Sequence, residues 1–296
     1  MPAHNRLVLI HNRMSPIAHS ADPIAALLSH VRIHAETFHT GALCGAHSFT
    51  EGAGVGHLHV IRSGRVRLRE RGSPEVHIEE PSIVFFARPL RHRLMVVGRV
   101  PGDVICANIR YGVGQENALT RSLPPVLVVP YRTVRGFSHS LALLRAEADD
   151  DALGRTAVLD RVCEILVVQL VRHAVERRLV TRGVLAGLAH PRIASVVQAV
   201  AAKPGARWSV ERMAVRANLS RSAFSREFVR IVGQSPADFL AEVRVAEAQR
   251  LLATARTLDQ VALAVGYSSQ PALSRAFIRR TGTSPSRWLR AFMRGD

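Results

Sequence analysis

Histidine, cysteine and arginine are the residues of this chain whose types and spacing could do chemistry. His57 and His59 lie two apart in the alternating run His57-Leu-His-Val-Ile-Arg62. In a strand, that spacing puts both imidazoles on one face. His92 follows the apolar run Ile83-Val-Phe-Phe, so a neighbouring strand could bring it to the same place. Three imidazoles with an open position would suit Zn, Fe or Cu. The other reading makes them buried, hydrogen-bonded histidines or polar liners of an effector pocket. Cys44 and Cys106 are candidates for oxidant sensing, which requires an accessible thiol with a depressed pKa. A cysteine that only packs is a small buried hydrophobe, and that is the reading for Cys163.

The second constellation is basic and repeated. Ser220-Arg-Ser-Ala-Phe-Ser-Arg-Glu-Phe-Val-Arg230 returns as Ser269-Gln-Pro-Ala-Leu-Ser-Arg-Ala-Phe-Ile-Arg279. Ala223, Ser225, Arg226, Phe228, Arg230, Gly233, Ser235, Pro236 and Leu240 each recur 49 positions later. Upstream, Ala214 and Ser220 recur after 48, so the second turn is one residue longer. At helical spacing Phe224 and Phe228 share a face with each other, as do Leu273 and Phe277, and both pairs must be core. Arg221, Ser222, Ser225 and Arg226 then project elsewhere, as do Gln270, Ser274 and Arg275. Arginine can read guanine bidentately and glutamine can read adenine. The same side chains could instead hold phosphate or form a solvated face. Pro271 narrows what the second helix can read.

Composition bounds these readings. The 296 residues carry 40 Lys+Arg against 23 Asp+Glu, a net charge of +17, and Lys203 is the only lysine. Such an excess favours polyanionic partners, nucleic acid first. No apolar run approaches the roughly 20 residues that span a bilayer, and no signal-peptide core follows the start. Three cysteines make no disulfide framework. The expectation is a cytoplasmic protein with no membrane partner.

The elements that must position these residues follow from periodicity. Asp22-Pro-Ile-Ala-Ala-Leu-Leu reads as a short helix with Asp22 as N-cap. From about 31 to 129, short alternating runs separated by Gly, Pro and Ser indicate a sandwich or jelly-roll barrel. From 134 the period is helical, and a helix from about Thr156 to Arg178 would expose Arg161, Glu164, Arg172 and Arg177. Val167, Val168 and Val171 widen its apolar face. A surplus apolar face suits either a partner interface or packing on the barrel. Ser209, Ser220, Ser235 and Thr257 are N-caps of successive C-terminal helices, Thr257-Leu-Asp-Gln260 with a capping box. Helix, tight turn and arginine-rich helix make the helix-turn-helix layout, here twice.

Two resemblances sharpen this. Gly266-Tyr-Ser-Ser, Leu273-Ser-Arg-Ala-Phe and Gly282-Thr-Ser-Pro closely resemble the signature of the AraC/XylS family of transcriptional regulators. His59-Val-Ile-Arg-Ser-Gly64 and Ile83-Val-Phe-Phe-Ala-Arg-Pro-Leu-Arg-His92 resemble the two halves of a cupin motif, and Val104-Ile-Cys-Ala resembles the tail of the RclR-type cupin. The cupin pattern implies a carboxylate after the histidine pair, where this chain has Arg62 and Ser63. The RclR-type resemblance implies an oxidant response through cysteine, with Cys106 at a matching position. Together they imply an α+β two-domain protein. A cupin-like sensor (1–133) is followed by a helical coupling and dimerisation region (134–178), a linker (179–189) and an AraC-type double helix-turn-helix domain (190–296). The two helix-turn-helix units, joined by a long helix, would enter successive major grooves of double-stranded promoter DNA. The implied partners are a second copy of the chain through the 156–178 helix, a small-molecule effector, and RNA polymerase if the protein activates. The competing class is a metal-dependent cupin enzyme, with a divalent metal on His57, His59 and His92, tethered to a DNA-binding tail. A nonspecific DNA binder is a third class.

Overall fold

The computed structural model describes residues 23–50, 54–70, 72–112, 117–134, 136–254 and 256–294. The expected N-cap Asp22 lies outside them. A short helix, α1 (Pro23–Val31), leads into nine strands: β1 (Ile33–Leu43), β2 (Ala46–Phe49), β3 (Gly56–Ser63), β4 (Arg65–Glu70), β5 (Val76–Ile78), β6 (Ser82–Phe86), β7 (His92–Val97), β8 (Gly102–Tyr111) and β9 (Leu127–Pro130). They form a five-stranded sheet in the order β1-β8-β3-β6-β9 and a four-stranded sheet in the order β2-β7-β4-β5, with every pairing antiparallel. Among the described residues no strand pairing joins the two sheets, so the arrangement is two layers.

The period-2 pattern explains how the larger sheet is buried on both faces. Leu58, Val60, Ile83, Phe85, Ile105 and Ala107 join a core shared with helices. Ile61, Val84, Phe86, Val104 and Cys106 join a second core, with Val66, Leu68 and Leu94 of the smaller sheet. Because side chains alternate along a strand, His59 falls on the same side as Ile61, between the sheets.

The helices α3 (Phe137–Ala148) and α4 (Arg155–Glu176) pack on each other, and α4 runs against β1. Its apolar stripe of Leu159, Val162, Leu166, Val167, Leu170 and Val171 is fully buried within the chain. Ile165 stays half exposed. Glu164, expected to face solvent, instead accepts a hydrogen bond from the Ala35 amide at 3.2 Å, and Asp160 accepts from the Thr37 amide at 2.7 Å. β1 is an edge strand, and these carboxylates satisfy edge N–H groups that would otherwise lack partners.

A short capped helix, α2 (Ala118–Ser122), precedes β9, and α5 (Val184–Ala189) occupies the segment read as a linker. Val184 and Leu185 are buried, the Gly183 amide donates to the Ile231 carbonyl at 3.0 Å, and the Leu185 amide donates to Ser122 Oγ at 3.4 Å. The C-terminal part is helical: α6 (Ala194–Ala202), α7 (Val210–Arg216), α8 (Arg221–Val232), α9 (Pro236–Leu252), α10 (Leu258–Ala264), α11 (Gln270–Thr281) and α12 (Pro285–Arg294). Among the described residues no helix is long and apolar enough to cross a membrane.

The two repeats are buried differently. Phe224, Phe228 and Phe239 belong to a core continuous with the N-terminal helices and the larger sheet. Leu273 and Phe277 sit in a separate core with Val245, Val261 and Trp288. The first unit is thus fused to the N-terminal domain, and the second is built mainly on the C-terminal half of α9.

Candidate DNA-binding surface and sensor cluster

The candidate reading surface starts at two helix caps. Ser220 Oγ accepts the Ala223 amide at 3.3 Å, which fixes the start of α8. Four residues separate α7 from α8 and five separate α10 from α11, matching the one-residue difference in the sequence repeat. The first ten residues of α8 and α11 have the same burial pattern, position for position. Phe224, Phe228, Leu273 and Phe277 are fully buried. Arg221, Ser222, Arg226, Gln270 and Arg275 are exposed, and Ser225 and Ser274 are half-buried.

The arginines are not equivalent. Arg221 Nε pairs with Glu211 Oε1 of α7 at 2.9 Å. Arg226 and Arg275 make no ion pair or hydrogen bond among the described residues, so their charge is available to an anion. Arg230 pairs with Glu227 on the same helix at 2.7 Å. Arg280 Nη2 donates to Asp238 of α9, at 2.7 Å to its carbonyl and 2.9 Å to its carboxylate, tying α11 to the connecting helix. Ser235 Oγ caps α9 by accepting the Asp238 amide at 3.1 Å, and Ser284 Oγ accepts the Arg287 amide at 3.3 Å.

Sequence reasoning missed the brace that holds the two units. Arg244 of α9 donates from Nε to the Pro204 carbonyl at 3.0 Å and from Nη2 to the Ala206 carbonyl at 3.1 Å. Its guanidinium lies 5.5 Å from the Tyr267 ring centroid. Gly266 has φ +85°, and a Cβ there would stand 2.7 Å from Arg244 Nη2 and 2.9 Å from the Gly205 carbonyl. The Gly-Tyr of the C-terminal signature is therefore a packing requirement at this brace.

In the N-terminal domain the three histidines do meet. His59 Nε2 lies 2.8 Å from His92 Nε2, and His57 packs 5.1 Å from His92 and 5.9 Å from His59, centroid to centroid. Phe49 of β2 and Phe86 of β6 stack on His92, with centroids at 4.8 and 3.8 Å. Cys106 is the direct cross-strand partner of His59, and its Sγ lies 3.1 Å from His59 Nδ1.

The hydrogen-bond directions in this cluster follow from one fixed end. His92 Nδ1 lies 2.8 Å from the Leu90 carbonyl, which can only accept, so His92 carries its proton on Nδ1. Neutral His92 then accepts at Nε2, His59 donates from Nε2, and His59 Nδ1 accepts from the Cys106 thiol. The result is a directed relay: thiol, imidazole, imidazole, carbonyl. Burial, and then the nearby His92 and His57, hold His59 well below the usual histidine range. Burial lowers His92 to about 4, opposed by its bond to Leu90, and burial lowers His57 as well. The Cys106 thiol is pushed up to about 12, by burial first and by Cys163 second.

Hydrogen bonds inside the cluster already engage the nitrogens that the metal reading needs. Both nitrogens of His59 and both of His92 are committed within the relay, and the two Nε2 atoms face each other rather than a shared vacant point. Among the described residues no group of three or more His, Cys, Asp and Glu side chains is arranged to hold a metal ion. His57 Nδ1 is buried without a partner, a single donor. The residues present do not fit a bound metal, and no chemistry is routed through one.

The cysteines separate into three situations. Cys44 is exposed and lines an open groove with Phe38, His39, Phe49 and Cys106. Its neighbour Leu43 pairs with Gly102, four residues from Cys106 along β8. At about 3.3 Å per residue that is ~13 Å, well beyond the roughly 4.4–6.8 Å between Cα atoms that a disulfide requires. Cys163 is buried on α4, 4.0 Å from Thr37 Oγ1, consistent with packing.

Three histidines kept neutral by burial make stability depend on pH. An unfolded histidine takes a proton near pH 6.5, whereas folded His92 does so only near pH 4. The stabilisation is therefore complete above pH 6.5 and is lost as pH falls towards 4, because the unfolded state binds the extra proton. Thermal melts should show a loss of at least about 3 kcal/mol over that window, the share of His92 alone. His92→Gln should flatten the pH slope.

Two sheets enclosing a polar cluster, followed by duplicated basic helices, define a protein that joins a cupin-like domain to a DNA-binding domain. Residues 22–176 match the cupin family model, and residues 213–291 match a helix-turn-helix domain model. The chain is 28% identical to an HTH-type transcriptional regulator of Haemophilus influenzae over 264 residues, covering 80% of this chain and 86% of the relative. It is 28% identical to the RCS-specific HTH-type transcriptional activator RclR of Escherichia coli, covering 79% and 86%. It is 25% identical to the HTH-type transcriptional regulator MtrA of Neisseria gonorrhoeae, covering 82% and 88%. The chain belongs to the AraC-type transcriptional regulators that carry an N-terminal cupin domain.

Proposed function

We propose that this regulator reads two successive major grooves with α8 and α11 and that its cupin domain tunes that reading. The observation that carries the first part is the matched face of the two helices: the same positions are buried, and the exposed ones carry Arg226 and Arg275 without internal partners. With α7–α8 and α10–α11 as helix-turn-helix units, the reading helices would lie about one DNA turn apart, ~34 Å. Arg221, Ser222, Ser225 and Arg226 face one groove, and Gln270, Ser274 and Arg275 face the next. The capped starts of α9 and α12 offer N–H groups to phosphate.

The cupin domain acts as a sensor rather than an enzyme in this reading. The contact of His59 Nδ1 with Cys106 Sγ at 3.1 Å is the geometry that supports an oxidant response, with proton transfer along it only as the thiol reacts. A thiol pushed to about 12 by burial is unreactive at rest, so the oxidant must reach it through the groove beside Phe38 and Phe49. As the thiol proton passes to His59, Cys106 sulfur would attack an oxygen of hydrogen peroxide or of a hypohalous acid, breaking the O–O or O–halogen bond and forming a sulfenic acid; the expelled hydroxide takes the proton back from His59 as water, or the halide leaves together with that proton. Cys106→Ser should abolish any oxidant-dependent change in operator affinity, measured by fluorescence anisotropy. An unchanged response would sink the sensing role of Cys106. Cys44 could resolve the oxidised thiol only after the end of β1 moves.

Most of the apolar surplus of α4 is used inside the chain. A homodimer through this region would rest on the outer face that leaves Ile165 and Leu143 exposed. Contact with RNA polymerase belongs to the activator form of the reading, and the cytoplasm is the compartment in which such a regulator would meet its DNA.

A further inference from the structure

We infer that Val229 of α8 and Ile278 of α11 each press on the C5-methyl group of a thymine, so that each unit reads one thymine by apolar contact beside the bases it reads by hydrogen bonding. The inference deepens the paired-reading proposal above and rests on it.

Its basis is an apolar side chain at the same repeated place on each reading helix. Val229 and Ile278 stand 49 positions apart, the spacing of the repeat. They are 41% and 47% exposed, and among the described residues neither belongs to a hydrophobic core. Packing within the chain therefore gives no reason for an apolar residue there. Helix propensity gives none either, because β-branched side chains are poorer helix formers than lysine, arginine or glutamate.

Helical phase places both residues on the reading face. At about 100° per residue, Ser222, Arg226 and Val229 fall within roughly 60° of one another. With Ser225 they occupy positions i, i+3, i+4 and i+7, a spacing that reading helices in the major groove use for base contacts. Ile278 follows Arg275 by three residues, as Val229 follows Arg226. The opposite side of each helix is buried, through Phe224 and Phe228 in α8 and through Leu273 and Phe277 in α11.

Chemistry then selects the partner. Neither side chain can donate or accept a hydrogen bond, so neither suits a phosphate or a polar base edge. In the major groove the apolar group on a base edge is the thymine methyl; guanine, adenine and cytosine present donors and acceptors there. A cytosine in the same place would lose water from its amino group against valine or isoleucine and gain no hydrogen bond in return. With the reading helices one DNA turn apart, the two thymines would recur at about 10–10.5 base pairs.

The test uses the full-length protein and the DNA flanking its own gene, amplified once with thymidine triphosphate and once with deoxyuridine triphosphate. The second fragment keeps every base pair and lacks every thymine methyl. Burying one methyl group is worth about fourfold in affinity. At one fixed salt concentration, wild type should therefore bind the thymine fragment about fifteenfold more tightly. Val229→Ala combined with Ile278→Ala should bring that ratio below about threefold, by weakening binding to the thymine fragment. Both side chains are exposed, so the melting temperature should not fall. Val215 and Leu263 are also exposed and repeat-related, but they lie on α7 and α10 rather than on the reading helices. Val215→Ala with Leu263→Ala should keep the wild-type ratio. Equal binding of the two fragments by wild type, or a ratio that the Val229 and Ile278 substitutions leave intact, would overturn the inference and leave paired reading standing. Wild type that binds the thymine fragment no better than a random duplex would instead overturn paired reading itself.

Discussion

Arg226→Ala combined with Arg275→Ala lowers operator affinity by ~3 kcal/mol, roughly a hundredfold, in anisotropy titrations at moderate salt. Both guanidiniums are exposed and have no internal partner among the described residues, so neither must leave an ion pair to bind DNA. The slope of log affinity against log salt should fall by about two, one for each lost cationic contact. Titration against random duplex separates two outcomes. A loss confined to the operator means the arginines read bases, and an equal loss on both duplexes means they hold phosphate. Arg221→Ala should cost less, because Glu211 already engages that side chain at 2.9 Å.

Phe228→Ala costs about 3–5 kcal/mol, the range for deleting a fully buried aromatic ring. Its ring packs 5.4 Å from Phe224 and 5.6 Å from Phe239, in the core that runs on into the N-terminal domain. The loss should therefore lower the melting of both domains together. Phe277 is its repeat counterpart, 6.0 Å from Trp288 in the separate core. Phe277→Ala should melt the second unit early and spare the first. Trp208 and Trp288 lie one in each unit and report the two events: an early red shift of Trp288 alone for Phe277→Ala, and a joint shift for Phe228→Ala. A single coincident transition in both variants would contradict the division of the core.

The C-terminal domain was legible in the sequence because it is written twice. Helical phase placed Phe224, Phe228, Leu273 and Phe277 in the core, and the 49-residue offset carried the same phase to both copies. Caps at Ser209, Ser220, Ser235 and Thr257 are local hydrogen bonds, so local sequence suffices to find them. The Arg244 brace was not legible, because it joins α9 both to the Pro204 carbonyl 40 residues earlier and to the Tyr267 ring later in the chain.

The N-terminal domain was legible along its strands and opaque between them. Alternation put His57 and His59 on one strand, and His92 was expected beside them. That Cys106 faces His59 is a matter of register between β3 and β8, which no local pattern encodes. β2 went unseen because Ala46-His-Ser-Phe is short and half exposed, yet it supplies Phe49, which packs on all three histidines. Glu164 of α4 read as solvent-facing for the same reason. Its partner is an edge amide 129 residues away.

The claim that α8 and α11 are paired readers is tested most directly by hydroxyl-radical footprinting of the full-length protein on the DNA flanking its own gene. The account predicts two protected patches on one face of the duplex, their centres about 10–10.5 base pairs apart, with Arg226→Ala weakening one patch and Arg275→Ala the other. A single patch, or protection that both substitutions weaken alike, would contradict it.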